Sequence, residues 1–350
     1  VSIPKTITSK PFRFQVRDFT LAGNRRQGRL ILILIYKVLM TAQSTPLIIG
    51  TRSSPLAMVQ TETAADLLRA AHPELEGQLK VDAVKTTGDL VLDRPLSEIG
   101  GKGLFTKELD LALMDKRIDI AVHSMKDLET WLPEGMAIGC ILPRADPRDA
   151  FISLTFPCLK YLPQSARVGT ASLRRKAILL NKRPDLDVDI IRGNVQTRLG
   201  KLAAGEFDAT FLALAGLDRL GQRDVATEIL FPEDFLPACA QGAVGITCRA
   251  DDERTLAFLS ALDDAPTRQT VMCERAMLDA LDGSCQTPIA GLAEINGDQM
   301  RLRGLIARPD GSELLHTDVT GAVGDAEALG RDAGLELKQR AGASFFDEAI

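Results

Sequence analysis

At 350 residues the chain is long enough for two or three domains with separate cores, and 45% hydrophobic and 25% charged residues give it an ordinary globular composition. The formal net charge is −5. Six cysteines (140, 158, 239, 248, 273 and 285) and three histidines (72, 123 and 316) form no CxxC pair and no metal-ligand spacing, which argues against a disulfide scaffold and a zinc site and for a reducing compartment.

Residues 1–40 differ from the rest, with eight Lys/Arg, one acid (Asp18) and the apolar run "LILILIYKVLM". That run is too short to span a bilayer, and Lys37 interrupts it. The segment is basic and acid-poor like a transit peptide but holds only two serines, so Met40 is read as the natural start. Residues 41–350 carry 34 Lys/Arg against 46 Asp/Glu, a net of −12, which disfavours nucleic acid as a partner. An arginine cluster within so acidic a chain has a local purpose.

From Leu47 the pattern alternates. "PLIIGT" predicts a strand, and Ser54-Pro55 opens a helix with a capping serine and a first-turn proline. "LKVDAVKT" is a strand, "LFTKELDLALMDKR" a helix and "IDIAVHS" a strand. The series continues with "ARVGT" (strand), "SLRRKAILLNKR" (helix), "VDIIRG" (strand), "VQTRLGKLAAGE" (helix) and "DATFLALAG" (strand). Such alternation predicts α/β architecture with mostly parallel sheets. Connectors at 142–150 and 231–240 read as crossings between two lobes, the chain returning to the first at "QGAVGITCR". After Ala265 a helix over 267–281, three strand-like runs separated by "NGD" and "PDG", and a helix from about Asp325 predict a small α+β domain.

Arginines gather at predicted helix starts. Arg52 precedes Ser54-Pro55, Arg174 and Arg175 follow Thr170 and Ser172, and Arg192 and Arg198 flank Gly193-Asn194. A cation there opposes the helix dipole at a cost of about 0.3–1 kcal/mol each. Repetition makes sense if the combined field serves an anion, because free N–H groups and guanidinium forks both suit carboxylates. The positions also fall at the carboxyl ends of strands, where open α/β sheets bind ligands. Pairing with nearby acids such as Asp185, Asp187 and Asp189 accounts equally well for any one arginine; for the group, a ligand with several negative charges fits better.

"AVHSMKDLE" ends a strand and delivers Lys126 beside Asp127, a pair able to hold or move protons, although from this segment alone an ordinary helix-start Lys-Asp pair is the better account. His123 reads as a packed strand residue. "IGGKGLF" lacks P-loop spacing and fits a flexible Gly-rich stretch, roughly 85–103, closing over a site. "LDGSCQTPIA" places Cys285 in a polar turn, an unusual position for a residue that is normally a small buried hydrophobe.

Together, "TRSSPLA", "GGKGLFTKEL", "AVHSMKD", "SLRRKA", "RGNVQTRLGKL", "ALAGLDRLG", "QGAVGI" and "GSCQTPIA" resemble, in order from about residue 47 to 292, the hydroxymethylbilane synthase (porphobilinogen deaminase) family. The resemblance implies a transferase of tetrapyrrole (haem) biosynthesis. It would condense four porphobilinogen molecules head to tail, with loss of ammonia, onto a dipyrromethane cofactor held by a thioether on Cys285, and then release the linear tetrapyrrole by hydrolysis. Asp127 would be the catalytic carboxylate, contacting pyrrole N–H groups and stabilising the cationic azafulvene. Cofactor binding would fall to Lys126, Thr170, Ser172, Arg174, Arg175, Arg192 and Arg198. Substrate binding would fall to Arg52, Ser54, Lys102, Arg192, Arg198 and Arg219. No metal, nucleic acid or membrane is expected, and the chain would be a cytoplasmic monomer, or an imported one if residues 1–40 are a transit peptide.

The resemblance also implies two periplasmic-binding-protein-like lobes with mostly parallel sheets plus the small α+β C-terminal domain. Residues 1–43 would lie outside the fold, 44–142 with 241–260 would form the first domain, 148–236 the second, and 265–350 a third carrying the cofactor cysteine. Glu129 stands where family members generally have proline, Glu98 where lysine is common, and Ala171 where serine is frequent. The alternative function is a two-lobed anion-binding protein without catalysis, which Cys285 and Asp127 argue against. A nucleotide-using transferase is disfavoured by the absent P-loop.

Overall fold

The computed structural model describes residues 46–90, 103–283, 287–342 and 345. The expected N-terminal extension, Lys102, Glu98, Cys285 and most of the Gly-rich stretch lie outside the described residues.

The first lobe opens with β1 (Leu47–Arg52) and α1 (Pro55–Ala71). Ser54 accepts the Ala57 N–H and proline occupies the first turn, as the sequence predicts. β2 (Leu79–Val84), α2 (Lys107–Met114), β3 (Ile120–Ser124), a 3₁₀ turn at Met125–Asp127 and β4 (Met136–Ile141) follow. The second lobe runs β5 (Asp149–Ile152), β6 (Arg167–Gly169), α3 (Leu173–Lys182), β7 (Asp187–Asp189), α4 (Val195–Ala203), β8 (Ala209–Ala213), α5 (Leu214–Arg219) and β9 (Glu228–Ile229). The predicted strand over "DATFLALAG" therefore ends at Ala213 and turns helical, because a short apolar run suits a buried helix as well as a strand.

The chain returns through β10 (Val244–Arg249) and α6 (Glu253–Ser260). The first sheet has the order β2-β1-β3-β10-β4 and the second β7-β6-β8-β5-β9. Four strands of each run one way and one runs against them: β10 in the first, β5 in the second. These two strands are those the crossings deliver, so the sheets are mostly rather than wholly parallel in direction. The crossings touch at Gly242 (φ +90°), where a Cβ would lie 2.4 Å from the Ala145 carbonyl oxygen. Only glycine fits that approach.

The C-terminal unit holds α7 (Ala265–Ala280), the antiparallel strands β11 (Ile289–Asn296), β12 (Gln299–Ala307) and β13 (Leu314–Ala322), and α8 (Ala326–Ala341). Gly330 and Gly334 bring α8 against α7, where a Cβ would come within 2.0 Å of Cys273 O and 2.6 Å of Met277 O. One apolar cluster centres on Leu47, Ile49, Ile120 and Ile246, and another on Cys273, Met277, Leu302 and Leu337. The second lobe's cluster, around Phe151, Phe211 and Phe235, also takes in Ala290, Leu292 and Leu305, so the antiparallel sheet shares that lobe's core. No helix among the described residues is long and apolar enough to cross a membrane.

Candidate functional site

β1 and β3 are parallel neighbours, so their carboxyl ends deliver side chains to the same edge of the sheet. Arg52 ends β1 and Asp127 ends the 3₁₀ turn after β3, and Arg52 Nη1 stands 4.0 Å from Asp127 Oδ2. The guanidinium also lies 4.2 Å from the centre of the Phe105 ring. Both charged groups line a pocket with Ser54, Gln60, Phe105 and Ser124. Gln60 Nε2 donates to Ser124 Oγ at 2.9 Å. His123, on the same wall, is buried and bonded to Thr247 Oγ1 at 2.9 Å; burial, then the nearby Arg52 charge, lowers its pKa to about 4. It is a neutral packed residue, as the sequence reading has it.

Lys126 points toward the crossings and donates to Gln241 Oε1 at 3.2 Å. Burial brings its pKa down to about 8, with Asp127 opposing that shift. The Gln241 amide in turn donates to Pro147 O at 2.7 Å and Asp149 Oδ1 at 2.9 Å. Asp149 is wholly buried and carries both arginines of α3: Arg174 Nη1 lies 2.8 Å from Oδ2, and Arg175 Nη2 donates to Oδ1 at 2.7 Å. Burial works to raise the Asp149 pKa, but the two guanidiniums outweigh it and hold the carboxyl well below its ordinary range.

The α3 start is built by Ser172, which accepts the Arg175 N–H at 3.4 Å, and Thr170, whose hydroxyl accepts the Ser172 N–H at 3.2 Å. At the start of α4, Asn194 caps the helix and Arg198 Nε donates to Gly193 O at 2.9 Å. Burial, then Arg175 and Arg192, lower the Arg198 pKa to about 10, and Asp127 opposes them; the second lobe's arginines thus share a field with the first lobe's carboxylate. Arg219 donates to Gly242 O at 2.7 Å, on the return crossing.

The structure accordingly gathers Arg52, Ser54, Lys126 and Asp127 on one side and Thr170, Ser172, Arg174, Arg175, Arg192 and Arg198 on the other. Of the acids considered as partners from the sequence, Asp185 pairs with Arg183, and Asp189 accepts its neighbour's N–H at Ile190. The acid beside Arg174 and Arg175 is Asp149, which sequence reasoning missed together with Gln60, Phe105, Ser124 and Gln241. Asp149 and Gln241 carry the signal of lying at the crossings and Ser124 that of ending a strand, whereas Gln60 and Phe105 carry neither. Glu129, the departure beside Asp127, accepts the Gly103 N–H at 2.9 Å.

A polycarboxylate cofactor fits this donor set. Arg174 Nε and Arg175 Nε are buried with no hydrogen-bond acceptor among the described residues, an arrangement that favours an added anion. The buried thiols are poor attachment points: burial raises Cys140 and Cys273 to about 12 and Cys248 to about 11, and raises Cys239 as well.

Residues 47–257 match the family model "Porphobilinogen deaminase, dipyromethane cofactor binding domain", and 268–339 match "Porphobilinogen deaminase, C-terminal domain". The chain is 54% identical over 308 residues to the porphobilinogen deaminase of Paracoccus denitrificans, covering 88% of this chain and 98% of that protein. It is 53% identical over 305 residues to the chloroplastic enzyme of Oryza sativa, covering 85% of each. Among solved structures, a periplasmic substrate-binding protein of an ABC transporter from Coxiella burnetii aligns at 13% identity and a TM-score of 0.40, over 62% of this chain and 91% of that one.

Proposed function

The chain belongs to the porphobilinogen deaminase family, and on that premise we propose how its own residues carry out the family's reaction. The activity is that of a hydroxymethylbilane synthase, a transferase that builds a linear tetrapyrrole from porphobilinogen on a dipyrromethane cofactor. The observation that carries the residue assignment is the convergence of one carboxylate, Asp127, with cations from both lobes.

Asp127 holds pyrrole N–H groups and stabilises the positive charge that develops as ammonia leaves, an electrostatic task suited to a partly enclosed carboxylate. Arg52, Ser54, Lys102, Arg192, Arg198 and Arg219 bind the acetate and propionate groups of substrate and growing chain. Lys126, Thr170, Ser172, Arg174, Arg175, Arg192 and Arg198 hold the carboxylates of the dipyrromethane, which supplies the pyrrole end that is extended. Cys285 is its thioether anchor; the high thiol pKa values of Cys140, Cys248 and Cys273 support leaving that role to the turn cysteine. The three sheets are read as three domains with the boundaries expected from the sequence. The acidic net charge disfavours nucleic-acid partners; the chain is read as a cytoplasmic monomer, or an imported one if residues 1–40 are a transit peptide.

The test is Asp127→Asn. The variant folds and carries the cofactor mass, but its porphobilinogen consumption falls by about 10² or more. Wild-type turnover would remove Asp127 from the catalytic role.

A further inference from the structure

Helix α7 buries two consecutive charged residues, Glu274 and Arg275. Glu274 takes Arg144 from the first crossing and the N–H groups of Ala240 and Ala293, so its bonds join the C-terminal unit to both crossings. Arg275 serves a different segment. Its guanidinium donates to three successive carbonyls: Leu128 at 2.9 Å, Glu129 at 2.6 Å and Thr130 at 3.1 Å. No carboxylate lies within ion-pair distance of it among the described residues. Burial draws its pKa down to about 10, so its enclosure carries a cost that these three bonds offset.

The three carbonyls belong to the residues immediately after Asp127. Leu128 N–H closes the 3₁₀ turn onto Met125 O at 3.3 Å, and the Glu129 carboxylate holds the Gly103 N–H. The backbone leaving Asp127 is thus fixed from two directions. One is the C-terminal unit through Arg275, and the other is the start of the segment bearing Phe105, on which Arg52 stacks.

We propose that Arg275 is a positioning residue for Asp127, clamping the carbonyls of residues 128–130 so that the carboxylate keeps its place opposite Arg52. The clamp also ties that turn to the helix that runs on toward Cys285, so the position of Asp127 is set by the unit bearing the cofactor cysteine. The inference rests on the assignment of Asp127 as the catalytic carboxylate. A guanidinium fork serves three fanned acceptors, whereas a lysine ammonium is a point charge that serves fewer and a methionine serves none. A misplacement of about 1 Å at a reacting group costs up to about 10²-fold in rate.

Arg275→Lys and Arg275→Met are prepared as holoenzymes, with cofactor loading checked by intact mass, and kcat and KM for porphobilinogen are measured well below the unfolding midpoint. The expected result is a kcat lower by about 10-fold for Arg275→Lys and about 10²-fold for Arg275→Met, with KM changed by less than about 3-fold. In an Asp127→Asn background, Arg275→Lys has no further effect, because the group it positions is gone. A wild-type kcat in a variant with a lowered midpoint, a rise in KM alone, or an equal loss in both backgrounds would overturn the inference. Arg275→Lys and its double variant suffice if Arg275→Met does not fold. Asp127→Asn alone separates the two readings: wild-type turnover there refutes the role of Asp127, whereas an inactive Asp127→Asn beside fully active Arg275 variants refutes the positioning role only.

Discussion

Arg52 and Asp127 stand 4.0 Å apart at the carboxyl edge of the first sheet, a separation at the limit of an ion pair. The guanidinium also lies 4.2 Å from the centre of the Phe105 ring. In the proposed function Arg52 binds a substrate carboxylate and Asp127 the pyrrole N–H groups.

Replacing Arg52 tests that division of labour. Arg52→Ala loses charge-assisted hydrogen bonds worth about 1.5–3 kcal/mol, so kcat/KM for porphobilinogen falls by about 10- to 100-fold. Arg52→Lys recovers only part, since it lacks the planar fork and the stack on Phe105. Steady-state kinetics on loaded enzyme decides it, and unchanged kcat/KM in Arg52→Ala would exclude Arg52 from substrate binding.

The Lys126 ammonium gives a pH signature. Its pKa in the folded protein is lowered to about 8 from an ordinary 10.5, chiefly by burial. Between those values the unfolded chain binds the proton that the folded chain releases, so this group's contribution to stability rises with pH across that window and is lost as pH falls through about 8. Relative to Lys126→Met, the wild-type denaturation midpoint therefore climbs from about pH 8 upward. The activity profile moves in the opposite sense. Loss of the ammonium weakens the hold on carboxylates above about pH 8, and Lys126→Arg, which stays charged, shifts that alkaline limb upward. Coincident alkaline limbs for wild type and Lys126→Arg would contradict this.

Asp149 is the shared counter-ion of two buried guanidiniums. In the cofactor-free chain Asp149→Asn leaves both charges enclosed without their counter-ion, at a cost of about 3–5 kcal/mol in unfolding free energy. Because the carboxyl is held well below its ordinary 3.8, its contribution is complete above that value and is lost as pH falls below it. Urea denaturation at neutral pH measures the cost, and acid unfolding shows proton uptake in wild type that the variant lacks. A change under about 1 kcal/mol would mean that the pair is not load-sharing in this way.

The contrast between Ser172 and Asp149 explains what the sequence discloses. Ser54-Pro55 and Ser172 announce helix starts because capping is decided within three residues, and the hairpin glycines 297 and 311 mark their turns for the same reason. Asp149, on β5, meets the arginines that follow β6 although β8 lies between those strands in the sheet, and no local pattern encodes that. Gln241 and Arg275 are invisible likewise: their acceptors lie about 90 to 150 residues away in the chain. The placement of the arginines at strand and helix ends is legible in the sequence, but which carboxylate Arg174 and Arg175 share is not. The Leu214 helix was missed because an apolar run of five residues serves either strand or helix.

The most direct test of the account is the intact mass of the purified chain under denaturing conditions, beside its Cys285→Ser variant. The account predicts that wild type exceeds its sequence mass by two linked pyrroles, retained under denaturation, and that the variant does not. An unmodified wild-type mass that stays unmodified after incubation with porphobilinogen, or the same surplus on Cys285→Ser, would contradict it.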